Sequence, residues 1–374
     1  MNIALFYHSL VSDWNHGNAH FLRGIAWELR ARGHEVRIFE PADCWSLTNL
    51  LRDHGQEPLE KFRRMYPGLR SECYEPDDFD LASALSAIDL VIVHEWTAPD
   101  LVRRIADHRS AAGYYLLFHD THHKSLTNPD AIPNAYLGGF DGVLAYGRSI
   151  QQLYLQRGWA RRAWVWHEAA DTRIFRPLNR KVEGDLVWIG NWGDEERTSE
   201  LQEFLIEPVK ALRLRAAVYG VRYPESALAA LRAANIDYRG WLPNFEVPEV
   251  FARYRLTVHI PRRAYVADLR GIPTIRPFEA MACGIPLVCS PWEDSEQLFN
   301  GDEESYLTAR DGAMMQRLLR KLLDNRKRAD ALAASALKNI RKRHTCAHRV
   351  DQLLTIYGEL ARSATPRAYF GAEA

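Results

Sequence analysis

The sequence predicts an α/β protein of two parallel-sheet domains facing each other across a cleft. Three observations carry that expectation. Short apolar runs alternate with amphipathic helical stretches, the rhythm of a parallel sheet covered on both faces. The rhythm breaks at the polar, proline-bearing stretch Phe175-Arg-Pro-Leu-Asn179 and then restarts. The length of 374 residues, 47% of them hydrophobic, is ample for two cores.

The elements follow in order. Residues 2–7 form a first strand. Ala19, Leu22, Ile25, Ala26 and Leu29 then recur at helical spacing. Gly33 stops that helix, and Glu35-Val-Arg-Ile-Phe39 resumes as a strand, which completes one βαβ unit. Leu90–Val93, Tyr114–Phe118 and Gly142–Ala145 are further buried strands. Past the break, strands are expected at Leu186–Ile189, Leu214–Tyr219, Leu256–Ile260 and Pro286–Cys289. Helices are expected over 196–212, 311–324, 326–343 and 346–362. The domains are therefore placed at 1–178 and 179–345. A last helix and tail, 346–374, is free to pack back on the first domain. No solenoid repeat or low-complexity segment interrupts the pattern.

Composition narrows the function. Lys+Arg 48 balances Asp+Glu 48, so no global field draws in nucleic acid or anionic membrane. Cys44, Cys73, Cys283, Cys289 and Cys346 are odd in number and widely spaced, which favours reduced thiols over a disulfide or zinc framework. The N-terminal residues read as a strand rather than a signal peptide. No apolar run approaches the roughly 18 residues of a membrane span. A cytoplasmic enzyme with no nucleic-acid partner is the expectation.

In parallel sheets, ligands sit at the carboxyl ends of strands, so the loops after strands hold the candidate chemistry. The loop Asp13-Trp-Asn-His-Gly-Asn-Ala-His20 opens a helix, with Gly17 and Asn18 at its start. It suits a phosphate or a plain capped turn. It lacks the second and third glycines of a dinucleotide fingerprint, which argues against a nicotinamide or flavin cofactor. His119-Asp-Thr-His-His123 follows another strand. Its readings are a polar-ligand contact, a metal site without a recognisable remaining ligand set, or a surface loop. Gly190-Asn-Trp-Gly-Asp-Glu-Glu-Arg197 places Asn191 and Arg197 after a strand, as a phosphate loop or a capped surface helix. Arg262 and Arg263 follow Leu256–Ile260 and Pro261, placed for an anion or merely solvated. Arg276-Pro-Phe-Glu-Ala-Met-Ala-Cys-Gly-Ile-Pro-Leu-Val288 carries Glu279 near a helix start, with a glycine stop and a buried strand after it. That carboxylate suits two vicinal hydroxyls, such as those of a ribose, or a structural role.

The segment Phe278–Val288 resembles the "FEAMACG.PLV" hallmark of GT-B glycosyltransferases, specifically the glycosyl transferase group 1 type. Three weaker segments agree in order and spacing: Arg30–Val36 with "L...GHEV", Glu168–Pro177 with "NGVD...F.P", and Gly240-Trp-Leu-Pro-Asn244 with the loop bordering the nucleobase. Within that group the chain looks closest to the CgeB/spore-protein-like branch. The resemblance implies the GT-B fold, two Rossmann-like domains, and a hexosyltransferase that moves a sugar from a nucleoside-diphosphate sugar. It implies no metal and no cofactor beyond that donor. It further implies Glu279 on the donor ribose, Arg197 and Arg262 on the diphosphate, and His119 near the transferred sugar. The Gly17 loop would border phosphate and acceptor, and Asn18, Asn191, Asn244 and Arg276 lie in the matched donor loops. The family's earlier glutamate, which contacts the sugar, falls on Gly271, so the sugar and the stereochemistry stay open. Retention is favoured by the resemblance. Inversion would need a general base, and His20, Asp13, His119 and Asp120 are the candidate groups. A sugar-nucleotide epimerase of the same architecture and a non-catalytic sugar-nucleotide-binding protein are the alternatives. The acceptor and the oligomeric state are not encoded in any recognised motif.

Overall fold

Runs of aliphatic residues with few polar interruptions, such as Leu90-Val-Ile-Val93, satisfy a strand buried on both faces. In the computed structural model, which describes residues 1–299 and 304–363, they assemble into two parallel sheets. The first has seven strands in the order β3-β2-β1-β4-β5-β6-β7. These are β1 (Asn2–Phe6), β2 (Glu35–Pro41), β3 (Glu72–Tyr74), β4 (Leu90–His94), β5 (Tyr115–Asp120), β6 (Gly142–Ala145) and β7 (Ala163–Val165). The second has six, ordered β10-β9-β8-β11-β12-β13. They are β8 (Gly184–Ile189), β9 (Ala216–Tyr219), β10 (Ile236–Tyr238), β11 (Tyr254–His259), β12 (Leu287–Cys289) and β13 (Leu307–Thr308). In each sheet the chain moves outward to one side of its first strand and then to the other. That is the doubly wound order that opens a crevice at the carboxyl ends.

The strands the sequence did not signal are edge or near-edge pieces of two or three residues, too short to display a period. β5 runs further than expected. Parallel pairing of His94 with His119 and of Asp120 with Ala145 carries it to Asp120. His119 and Asp120 therefore belong to the strand and not to the loop after it. The helix expected over 196–212 is realised as Thr198–Leu201, a π turn at Gln202–Ile206 and Glu207–Leu212. Pro208 has no N–H to give to the preceding turn, which is a physical reason for the wider winding.

The last helix, Cys346–Ser363, lies against the first, Ala19–Ala31, and buries Val350, Leu353, Ile356 and Leu360 in the same core cluster as Leu22 and Ile25. The close approach depends on Gly24, where a Cβ would come within 2.5 Å of the Cys346 Sγ and 2.9 Å of the Asp171 Cβ. Arg349 secures the crossing with its Nε on the His167 carbonyl at 2.8 Å, while the Trp166 indole N–H donates to the Arg349 carbonyl at 2.8 Å. The tail from 364 onward lies outside the described residues.

Candidate functional site

The carboxyl ends of the two sheets enclose a cavity of about 750 Å³. On the second sheet it is walled by the loops after β8 (Gly190–Arg197), β9 (Gly220–Arg222) and β11 (Ile260–Arg262), and by the start of the helix Ile275–Cys283. On the first sheet it is walled by the loops after β1, β5, β6 and β7.

Three arginines converge on the second-sheet side. Arg197 is the most constrained: Nε donates to the Trp192 carbonyl at 3.1 Å, Nη1 to the Ile260 carbonyl at 3.0 Å and Nη2 to the Asn191 carbonyl. Its guanidinium also lies 5.2 Å from the Trp188 ring centroid. Burial, with Arg262 beside it, lowers its pKa to about 10, so it stays charged at neutral pH. Arg262 is part-exposed and donates through Nη1 to Glu196 Oε2 at 2.6 Å. Arg276 donates to Glu279 from the first turn of its helix. Asn191 ties the two walls: its Oδ1 accepts from the Val221 N–H at 2.9 Å and its amide reaches Asn15.

Asp13 also ties the walls. Its Oδ2 accepts from the Arg23 Nη1 at 2.9 Å and the Asn244 N–H at 3.0 Å, and its Oδ1 from the Trp241 indole at 3.2 Å. Arg23 itself is fully buried and gives Nε to the Leu10 carbonyl at 2.7 Å. The Asp13 carboxylate lines the cavity, but its oxygens serve a clasp between the two halves. Gly17 and Asn18 line the cavity as well. A Cβ at Gly17 would meet only Ile275 Cγ2, at 3.8 Å, so no protein neighbour demands a glycine there.

Four sequence candidates do not line the cavity. Glu279, expected on the ribose, is fully buried, with its Oε1 2.7 Å from His20 Nδ1 and its Oε2 on Arg276. The helix starts at Ile275 rather than near Pro277, which places Glu279 in its second turn. His20 is equally buried and stacks on Phe175 at 4.2 Å. His119 packs edge-on against Trp166 at 4.8 Å, and burial pushes its pKa well below the usual imidazole range. Asp120 accepts from the Tyr154 hydroxyl at 2.8 Å and the His122 N–H at 3.0 Å. Burial and the nearby Glu95 raise its pKa to about 7. The extra length of β5 is the cause for the last two: both side chains end inside the sheet layer. The His119–His123 run does not converge on an ion, and among the described residues no cluster of three or more His, Cys, Asp or Glu is arranged to hold one.

Several wall residues carried no sequence signal of their own. Glu168, the third residue after β7, is buried and faces the cavity. His16 is buried there with neither ring nitrogen hydrogen-bonded, and Tyr146, Tyr265 and Lys124 complete that side. His259 bonds Thr274 Oγ1 through Nε2 at 3.1 Å. A strand-end rule applied to every strand finds Glu168, but β7 is one of the short strands that the sequence does not signal. At Gly271 the backbone is left-handed (φ 88°), and a Cβ would come within 2.2 Å of Ser295 Oγ. No side chain fits at that position.

Residues 197–355 match the family model described as glycosyl transferase-like. Among solved structures, the sucrose-phosphate synthase of Thermosynechococcus elongatus superposes with a TM-score of 0.64 at 14% identity, over 97% of this chain and 100% of that one. The protein described here has the GT-B fold, with the glycosyl transferase-like segment in its second half. HepE of Anabaena, in complex with UDP and glucose, matches the GT-B chain with a TM-score of 0.64 at 14% identity, over 96% and 100% of the two chains. An alpha-glucosyltransferase in complex with UDP-glucose and DNA containing an abasic site gives 0.72 at 13% identity, over 96% and 99%. No curated protein matches the sequence. Among the described residues of the GT-B chain, no helix is long and apolar enough to cross a membrane.

Proposed function

We propose that the protein transfers a sugar from a nucleoside-diphosphate sugar to an acceptor hydroxyl without a metal ion. The observation that carries this reading is the convergence of Arg197, Arg262 and Arg276 on one cavity that also opens onto Gly17 and Gly190. Guanidiniums at a strand end, held by fixed carbonyls and carboxylates, can stabilise the charge that develops on a departing diphosphate. The nucleobase belongs at the β9–β8 end, beside Gly220, Arg222, Trp241 and Leu242, and Asn244 continues that loop. Structures of the same fold with UDP or UDP-glucose, at 12–14% identity, support a sugar-nucleotide donor.

The reaction forms a bond from the acceptor oxygen to the anomeric carbon and breaks the bond from that carbon to the phosphate oxygen. In the retaining course, which we favour, the leaving phosphate takes the acceptor proton. Asp13 is occupied in its clasp and His20 and His119 lie behind the wall, so none of the three is in position to act as a base. Glu279 acts from behind the wall by fixing Arg276 through its second oxygen.

The test is a thermal-shift screen of nucleoside diphosphates and their sugars in EDTA, followed by product analysis. A rise in melting temperature and undiminished transfer in EDTA are expected. Strict dependence on a divalent ion would overturn the metal-free course.

A further inference from the structure

Glu168 is a buried carboxyl on the cavity wall, and the mechanism so far does not use it. Its surroundings are drawn from five elements. Asn18, at the start of the first helix, lies beside it and donates its amide to Thr121 Oγ1 at 2.7 Å. Arg276 and Glu279 face it from the helix Ile275–Cys283, and Glu95 from the loop after β4. Tyr146, after β6, and Tyr265, in the helix Arg263–Ala267, lie close on its other side, with ring centroids 6.3 Å apart. Asn18, Tyr146, Tyr265 and Arg276 all line the cavity with it.

The order of strands says which part of a donor would reach this place. In the second sheet the loops after β9, β8 and β11 lie side by side, and they present Arg222, then Arg197, then Arg262. A nucleoside at the first and a diphosphate at the next two leave the group attached to the far phosphate beyond Arg276, where Glu168 stands. We propose that Glu168 is a specificity-determining contact for the transferred sugar, its carboxyl hydrogen-bonding a sugar hydroxyl beside Arg276. This rests on the donor reading above.

The state of that carboxyl follows from its neighbours. Burial first, then Glu279 and Glu95, push its pKa well above the usual carboxylate range, against the weaker pull of Arg276 and Asn18. A protonated carboxyl has an O–H to give and an oxygen to accept with, so it can satisfy a hydroxyl in both directions. It also avoids the repulsion that a carboxylate would exert on the adjacent phosphate. Glutamine reproduces that neutral donor-and-acceptor pair without titrating.

Calorimetry on the full chain with UDP and with UDP-glucose separates the contributions. In wild type, Glu168→Gln and Glu168→Ala, affinity for UDP should agree within about threefold. Affinity for UDP-glucose should fall at least about tenfold in Glu168→Ala and be restored in Glu168→Gln. The folded pKa is raised, so the proton-bearing form prevails at low pH and is lost as pH rises through it. Wild-type affinity for UDP-glucose, relative to UDP, should therefore decline as pH rises, and Glu168→Gln should be flat. Equal UDP-glucose affinity in wild type and Glu168→Ala would overturn the assignment, as would an alkaline decline that persists in Glu168→Gln. If Glu168→Ala fails to fold, the pH comparison with Glu168→Gln decides. Absence of UDP binding to wild type would instead sink the donor reading and this contact with it, whereas UDP binding with no Glu168 effect would sink the contact alone.

Discussion

The two walls of the cleft are made of different chemistry. The second-sheet wall carries permanent positive charge in Arg197, Arg262 and Arg276, each held by oxygen atoms of the same half. The first-sheet wall is polar and, among the described residues, carries a single cation, Lys124, over the Trp96 ring. Burial depresses His8 to about 4 and holds His16 and His122 well below the imidazole range, and it pushes the Glu168 carboxyl well above the usual carboxylate range. The difference teaches how one cavity can suit both ends of a sugar nucleotide. Fixed cations suit the diphosphate, and neutral donors and acceptors suit hydroxyl groups, which gain nothing from net charge. Asp13 belongs to neither wall alone and joins them.

The comparison breaks most sharply at Asp13. If its carboxylate is the clasp, Asp13→Ala leaves Arg23 buried without its partner and should cost about 3–5 kcal/mol of stability in urea unfolding. A loss below about 1 kcal/mol, with catalysis abolished, would return Asp13 to the role of a base.

Arg197 and Arg262 face the same cavity and should respond differently. Arg197→Ala strips donors from the carbonyls of Trp192 and Ile260, so it should lower stability by about 2–4 kcal/mol besides weakening the donor. Equal melting temperatures for the two variants would remove the structural part of that account.

Arg262→Ala should weaken nucleoside-diphosphate binding by about 1.5–3 kcal/mol, the scale of a hydrogen bond to a charged group. Its effect on folding should stay within about 0.5 kcal/mol, because the ion pair with Glu196 is part-exposed and screened. Wild-type affinity in the calorimeter would take Arg262 out of the site.

Asp120 sharpens the account of the first-sheet wall through pH. Its folded pKa of about 7 lies above its unfolded value, so its contribution is full below the unfolded pKa and declines as pH rises towards 7. Asp120→Asn cannot titrate and keeps an acceptor for Tyr154. Its stability relative to wild type should rise by about 1–2 kcal/mol between pH 5 and about 8, measured by chemical unfolding. A constant difference across that range would mean that Asp120 is already ionised at pH 5.

Legibility in the sequence was uneven for physical reasons. Long runs such as Leu90–Val93 and Leu186–Ile189 declare themselves because a strand buried on both faces carries few polar residues. β3, β7, β10 and β13 are too short to declare anything. Of the candidate site residues, those in glycine-bearing or basic loops after recognised strands, Gly17, Asn18, Asn191, Arg197 and Arg262, do line the cavity. His20, His119 and Asp120, read as loop residues, and Glu279, read at a helix start, fall inside regular elements and lie behind it. Their direction depends on where a strand or helix begins and ends, and one or two residues of shift reverse it.

The sequence by itself determined the α/β class, the break between two parallel-sheet units and the loops that meet at the cleft, because all three are written in local periodicity and turn residues. Only the tertiary structure decided that Asp13 is spent on Arg23, Trp241 and Asn244, that Glu279 backs Arg276, and that Glu168 reaches the wall. Each of those depends on partners from 3 to 231 positions away, several of them on the opposite sheet. A charged or polar side chain acquires its role from whichever partner desolvates and satisfies it, and no local pattern records that partner.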